Sequence, residues 1–324
     1  MTALRSGRSW SPADLGELAG VGAIVTGANS GLGLRTAVRL AQHGAEVVLA
    51  CRDPAKGEAA RTTLLAEVPG ATAEVRELDL ADLSSVRRFA AEWGDRRLDL
   101  LINNAGIMAI PRRVSPDGFE LQLATNHLGH FALTGLLLPA LLNRPATAAK
   151  PPRVVTLSSF VHRTGRLHVD DLMLERDYSP WKAYGQSKLA NLLFVRELQR
   201  RVEAAGAALA SLAAHPGYAA TNLQAVGPAM SGNAVLGRVM GLATAVLGQS
   251  ADKGAWPTLR AATDPTARSG EYFGPGGLGE IRGAPVRVAM APAALDPVGA
   301  AWLWERSVDL TGVDFGVLNS PWNH

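Results

Sequence analysis

The stretch Gly22-Ala23-Ile24-Val25-Thr26 is a short apolar run that breaks into Gly27, Gly31 and Gly33, followed by the helical spacing of Leu34, Ala37, Val38 and Leu40. It reads as strand, tight turn and helix. Glycine serves such a turn in two ways: it takes positive φ, and it lets the backbone approach a bulky anion that a Cβ would push away. A helix beginning near Gly31 turns its free N–H groups and the positive end of its dipole toward the same point, which suits a pyrophosphate. The spacing is Gly-x3-Gly-x-Gly, which differs from the common G-x-G-x-x-G dinucleotide fingerprint. An ordinary glycine-rich βα turn therefore stays open on these residues alone.

The same two-beat rhythm runs on. Apolar runs at 23–25, 46–50, 73–78, 98–102, 154–157 and 208–213 alternate with helix-period segments near 32–43, 54–67, 82–94, 119–143 and 181–204. Alternation of this kind implies right-handed crossovers and a mostly parallel sheet with helices on both faces. At 324 residues, 47% hydrophobic, the chain suits one large doubly wound α/β domain over 21–324, with a polar arm at 1–20 anchored by Trp10 and a helix cap at Ser11-Pro12. After Pro216 the rhythm stops. Residues 218–256 are rich in Gly, Ala, Met and Leu, a composition for a helical cover over a substrate pocket or for a plain packing helix. A last strand is expected at 270–273, a loop at 274–283 with five Gly and a Pro, and a C-terminal extension at 284–324 carrying a helix over 296–310.

Charge and cysteine narrow the function classes. The net charge is +3, and only five of the 32 basic residues are Lys; no basic run interleaved with aromatics suits nucleic acid. Cys51 is the single cysteine, so neither an intrachain disulfide nor a thiolate metal cage can form, and a reducing, cytoplasmic setting is expected. No apolar run is long enough for a transmembrane segment, and no metal site is expected from the scattered histidines, of which His127 and His130 alone come near ligand spacing.

Tyr184-Gly185-Gln186-Ser187-Lys188 opens a helical segment and puts Tyr and Lys on one face, where an ammonium favours the phenolate and lowers the phenol toward the range of a general acid/base. Ser158-Ser159 follows the run 154–157, Asn103-Asn104-Ala105-Gly106 follows Leu100-Leu101-Ile102, and Asn126 lies in the next helical stretch. In order, spacing and context these motifs resemble the short-chain dehydrogenase/reductase family over residues 20–310. Ala50-Cys51-Arg52-Asp53 with Lys56-Gly57-Glu58, Thr125-Asn126-His127-Leu128-Gly129-His130-Phe131, Ser187-Lys188-Leu189-Ala190-Asn191 and His215-Pro216-Gly217 resemble its retinol-dehydrogenase branch, as does the wide interval from Ser159 to Tyr184, whose extra residues 164–182 would form a loop beside the active site.

The resemblance implies a hydride-transferring enzyme. Tyr184 would exchange a proton with the carbonyl, Ser159 would hold the carbonyl oxygen, Lys188 would bind the nicotinamide ribose, and Asn126 would anchor a proton-supplying water chain. Thr26, Gly27, Ser30, Gly31, Leu32 and Gly33 would cradle the pyrophosphate. Asp79 and Leu80 would edge the adenine, while Asn104, Ala105, Gly106, Pro216, Gly217 and Thr221 would line the nicotinamide half. NADP(H) is expected over NAD(H): the residue ending the second strand is Cys51 where an NAD enzyme carries an acid, and Arg52 follows, unless Asp53 faces the ribose instead. The expected partner is a small, largely apolar ketone, aldehyde or alcohol, with a homo-oligomer possible. The alternatives are a non-catalytic dinucleotide-binding redox sensor or scaffold and, among enzymes, a C=C reductase. A sensor has no need of Asn126, Ser159, Tyr184 and Lys188 together.

Overall fold

In the computed structural model the described residues are 9–143, 150–218 and 249–318. Strands β1 (Gly22–Thr26), β2 (Glu46–Cys51), β3 (Ala73–Glu77), β4 (Leu100–Asn103), β5 (Arg153–Leu157), β6 (Ala210–Ala214), β7 (Tyr272–Pro275) and β8 (Pro285–Arg287) form one sheet in the order 3-2-1-4-5-6-7-8, parallel except for β8. Ile24 of β1 sits between Val48 of β2 and Leu101 of β4, and all three are buried. Strands covered on both faces read as unbroken apolar runs, which is why they were visible in the sequence. Chain order reverses between β1 and β4, and a crevice opens beyond their carboxyl ends.

Helices cover both faces. On one, α1 (Gly31–Gln42) and α2 (Pro54–Glu67) bury Ala37, Leu40, Ala60 and Leu64. On the other, α3 (Leu83–Trp93), α5 (Gly129–Leu142) and α6 (Pro180–Ala204) bury Phe89, Phe131 and Phe194. The segment expected as one helix over 119–143 begins with a single turn, α4 (Leu121–Leu123), and passes through a π turn, Ala124–Leu128, before α5. Such insertions into a helical ladder concentrate at functional sites, and this one carries Asn126.

Three boundaries differ from expectation, each for a packing reason. The arm is tied down: Leu15 and Leu18 are buried in the α1-side core and Leu18 N–H donates to His43 O at 2.7 Å, so position 20 is no domain edge. Residues 251–256, assigned to the substrate cover, begin α7 (Ala251–Thr263), a packing helix fixed to α1 by Arg39 on Asp252 at 2.8 Å. Residues 219–248 of that assignment, with Thr221, lie outside the described residues. Strand β8 was hidden because only three residues pair, with Pro285 at the edge. The C-terminal helix stands as expected: α8 (Pro297–Thr311) packs Trp304 against Phe131 and Phe315, at ring centroids 5.1 and 4.5 Å.

Candidate active site

The turn after β1 bears out the first reason for glycine. Gly27 and Gly31 take φ of +65° and +54°, while Gly33 serves close packing within the protein, since a Cβ there would stand 2.4 Å from the Gly27 carbonyl oxygen. Thr26, buried under the turn, accepts the N–H groups of Asn104 and Ala105 at 2.9 Å each. Asn104 Nδ2 donates to Thr26 O at 2.6 Å, which locks the β4 end to the glycine turn.

The catalytic candidates gather where α6 passes the end of β5. Ser158 Oγ donates to the Lys188 carbonyl at 2.8 Å, and Lys188 Nζ donates to the Leu157 carbonyl at 3.2 Å. Ser158 is thus committed to holding α6, which leaves Ser159 as the hydroxyl beside Tyr184. Tyr184 and Lys188 are 4% exposed, and Nζ stands 5.7 Å from the Tyr184 ring centre. Asn126 is fully buried behind the cleft wall: its Oδ1 accepts from Ile107 N at 2.8 Å, and its Nδ2 donates to Ile107 O and Ser187 Oγ, each at 2.9 Å.

The electrostatics correct one expectation. Burial pushes the Tyr184 phenol up to about 12, opposed by its hydrogen bond with Ser159, and pushes the Lys188 ammonium down to about 8. Desolvation of both groups outweighs the favourable effect of the cation on the phenolate. The phenol is therefore protonated at neutral pH, the form that can give a proton to a carbonyl.

At the other end of the cleft, Arg52 and Lys56 line the wall beyond β2. Asp53 lines the same wall, with its carboxylate engaged by its own helix: it caps α2 by accepting from Lys56 N at 3.1 Å and pairs with Lys56 Nζ at 3.4 Å. Asp79 Oδ1 accepts from Ala81 N at 3.0 Å, and Leu80 is buried beside it.

Every described residue expected to hold the dinucleotide, except Thr26 beneath it and Gly217 beside it, lines one cleft of about 440 Å³. Lys56, Thr125, Ile107 and Arg113 line it too and were given no role in the sequence; Lys56 and Thr125 stood inside quoted motifs, whereas nothing in the pattern marks Ile107 or Arg113. The cleft suits a nicotinamide dinucleotide on two counts. The glycine turn bares backbone at a helix N-terminus, and Asn104 Oδ1 is a buried acceptor with no protein partner. Among the described residues no group of His, Cys, Asp and Glu is placed to hold a metal ion, and no helix is long and apolar enough to cross a membrane.

Burial also pushes His127 down to about 4 and His130 down to about 3, against about 6.5 for an unperturbed imidazole. Below pH 6.5 the unfolded chain binds protons that the fold refuses, so the stability due to these groups is full above that value and declines as pH falls. Glu120, buried and raised, runs the other way, one group against four histidines, since burial lowers His162 and His168 as well. We expect the urea midpoint to drop between pH 6.5 and 5, each histidine contributing up to roughly 1.4 kcal/mol per pH unit. A midpoint that stays constant across that window would contradict neutral imidazoles in the core.

Comparison with known proteins agrees with this geometry. The family model described as short chain dehydrogenase matches residues 22–230. Retinol dehydrogenase 13 of Homo sapiens is 40% identical over 296 residues, covering 90% of this chain and 84% of its own length. A crystal structure of a Mycobacterium paratuberculosis protein described as uncharacterized is 47% identical, with a TM-score of 0.78 and coverage of 95% and 99% of the two chains. The NADP active-site complex of RhlG from Pseudomonas aeruginosa is 25% identical, with a TM-score of 0.61 and coverage of 79% and 94%.

Proposed function

The chain belongs to the short-chain dehydrogenase family of oxidoreductases, with retinol-dehydrogenase-like relatives, and from that premise we propose that it moves hydride between NADP(H) and a largely apolar ketone or aldehyde, or the corresponding alcohol. The observation that carries the reading is the burial of Tyr184 and Lys188 in the wall of the cleft that the glycine turn opens, with Ser159 hydrogen-bonded to Tyr184 and Asn126 bonded to Ser187 on the same helix. When bound, the nicotinamide supplies or accepts the hydride. Tyr184 gives its proton to the carbonyl oxygen, and takes one back in the oxidative direction. Ser159 holds that oxygen where charge develops. Lys188, with one N–H spent on Leu157, turns its others to the ribose, and Asn126 anchors the water chain. Arg52 and Lys56 take the adenosine phosphate.

The apolar character of the substrate rests on Trp181, 46% exposed, with its ring set edge-on to Tyr184 at 6.1 Å. An exposed aromatic beside a reactive phenol offers an apolar contact. The lone cysteine supports a reducing, cytoplasmic setting.

The test is NADPH oxidation against a panel of ketones, aldehydes and enones, with NADH in parallel. Turnover with apolar ketones or aldehydes is expected. Tight cofactor binding with no turnover of any carbonyl would instead fit a sensor, and turnover of enones alone would fit a C=C reductase.

A further inference from the structure

His130 is 1% exposed, touches no part of the cleft, and has both ring nitrogens in use. Nδ1 lies 3.1 Å from the Asn126 carbonyl oxygen and Nε2 lies 2.9 Å from Thr26 Oγ1. Which nitrogen carries the proton follows from the partners. A carbonyl oxygen can only accept, so Nδ1 is the donor. Thr26 Oγ1 already accepts two N–H groups, from Asn104 and Ala105. Its lone pairs are filled, so it cannot accept from an Nε2–H, and its hydroxyl proton is shared between Nε2 at 2.9 Å and the Ile102 carbonyl oxygen at 3.3 Å. Two separate arguments thus assign the same neutral Nδ1–H tautomer, and burial at this depth disfavours the charged form.

The bonds join into a ring. Thr26 grips the stretch 104–107 at Asn104 and Ala105; Asn126 grips it at Ile107 with both atoms of its side-chain amide. His130 connects the two grips. We propose that His130 is a positioning residue that couples the phosphate-side turn to the catalytic Asn126, so that the 104–107 wall of the cleft and the Asn126 carbonyl are set by one hydrogen-bonded ring. The consequence for turnover rests on the dehydrogenase reading above; the ring itself does not.

The ring is tested first by nitrogen-15 NMR of the labelled, full-length protein. His130 should give the neutral Nδ1–H pattern, with Nε2 unprotonated, across neutral pH. An Nε2–H pattern would overturn the proposal, whatever the enzyme's activity. The second arm compares two variants. His130→Leu keeps apolar bulk and loses both bonds, and should lower kcat by about tenfold or more while weakening NADPH binding several-fold, since small misplacements of a site are costly in rate. His130→Gln, with an amide N–H for Asn126 and a carbonyl for Thr26, should restore both to within about threefold of wild type. A folded His130→Leu protein with wild-type kcat and Kd would overturn the proposal, as would a folded His130→Gln protein with lowered kcat and weakened NADPH binding. Should His130→Leu fail to fold, the Gln variant and the NMR pattern decide. Wild-type protein that neither binds NADPH nor turns over any carbonyl would defeat the dehydrogenase reading while leaving the tautomer assignment standing.

Discussion

Tyr184→Phe should lower turnover by at least about a hundredfold while leaving NADPH affinity within about threefold of wild type. The variant removes one hydroxyl and keeps the ring, which is 4% exposed and set edge-on to Trp181, so the packing of α6 is retained. The hydroxyl's hydrogen bond is with Ser159, a group that remains partly open to solvent after the change. What is lost is a buried acid in the cleft wall that is protonated at neutral pH and adjoins the expected carbonyl position. Lys188→Ala should differ in kind: it removes a donor facing the cleft, and both kcat and cofactor affinity should fall. If Tyr184→Phe kept more than about a tenth of wild-type kcat, the proton would come from elsewhere.

The parts legible in the sequence are those whose cause is local. Strand β1, its glycine turn and α1 could be read because a buried parallel strand is uniformly apolar and a phosphate turn needs residues without a Cβ. The Tyr184 to Lys188 pair could be read because helical periodicity fixes which side chains share a face. What escaped depends on distant partners. Residues 251–263 carry Pro257 in their middle, and they form α7 because Asp252 meets Arg39 from α1 and Ala255 and Leu259 fill the core beside it. Leu15 and Leu18 look like part of a polar arm until α1 and β2 supply a surface for them. The raised phenol of Tyr184 escaped for the same reason: sequence shows the cation four residues away, whereas the depth of burial that outweighs it belongs to the tertiary fold. His130 looked like half of a weak metal pair, and only the register of the π turn reveals that it faces Thr26 and Asn126.

Arg52→Ala should weaken NADPH binding by roughly ten- to a hundredfold and leave NADH binding nearly unchanged, as expected for loss of a charge-assisted phosphate contact of about 1.5–3 kcal/mol. The reasoning turns on what the three residues after Ala50 do. Cys51 is buried, with its thiol on the Asp53 carbonyl at 3.5 Å, and offers a ribose neither charge nor a strong acceptor. Asp53 was the residue able to invert the preference, since a carboxylate facing the ribose would accept its hydroxyls and repel a 2′-phosphate. Its carboxylate instead accepts from Lys56 N and pairs with Lys56 Nζ, and these bonds hold it below the usual carboxylate range. Asp53 thus lines the cleft beside Arg52 and Lys56, but its carboxylate is engaged by the Lys56 N–H and ammonium, which leaves Arg52 as the unengaged charge at that wall with Lys56 one turn into α2. A second cation there should add to the first, so the double variant Arg52→Ala with Lys56→Ala should lose more NADPH affinity than either alone, again sparing NADH. Dissociation constants for both cofactors with all four proteins decide the matter, because an equal loss for NADPH and NADH would mean that these cations hold the shared diphosphate or adenosine and do not read the extra phosphate.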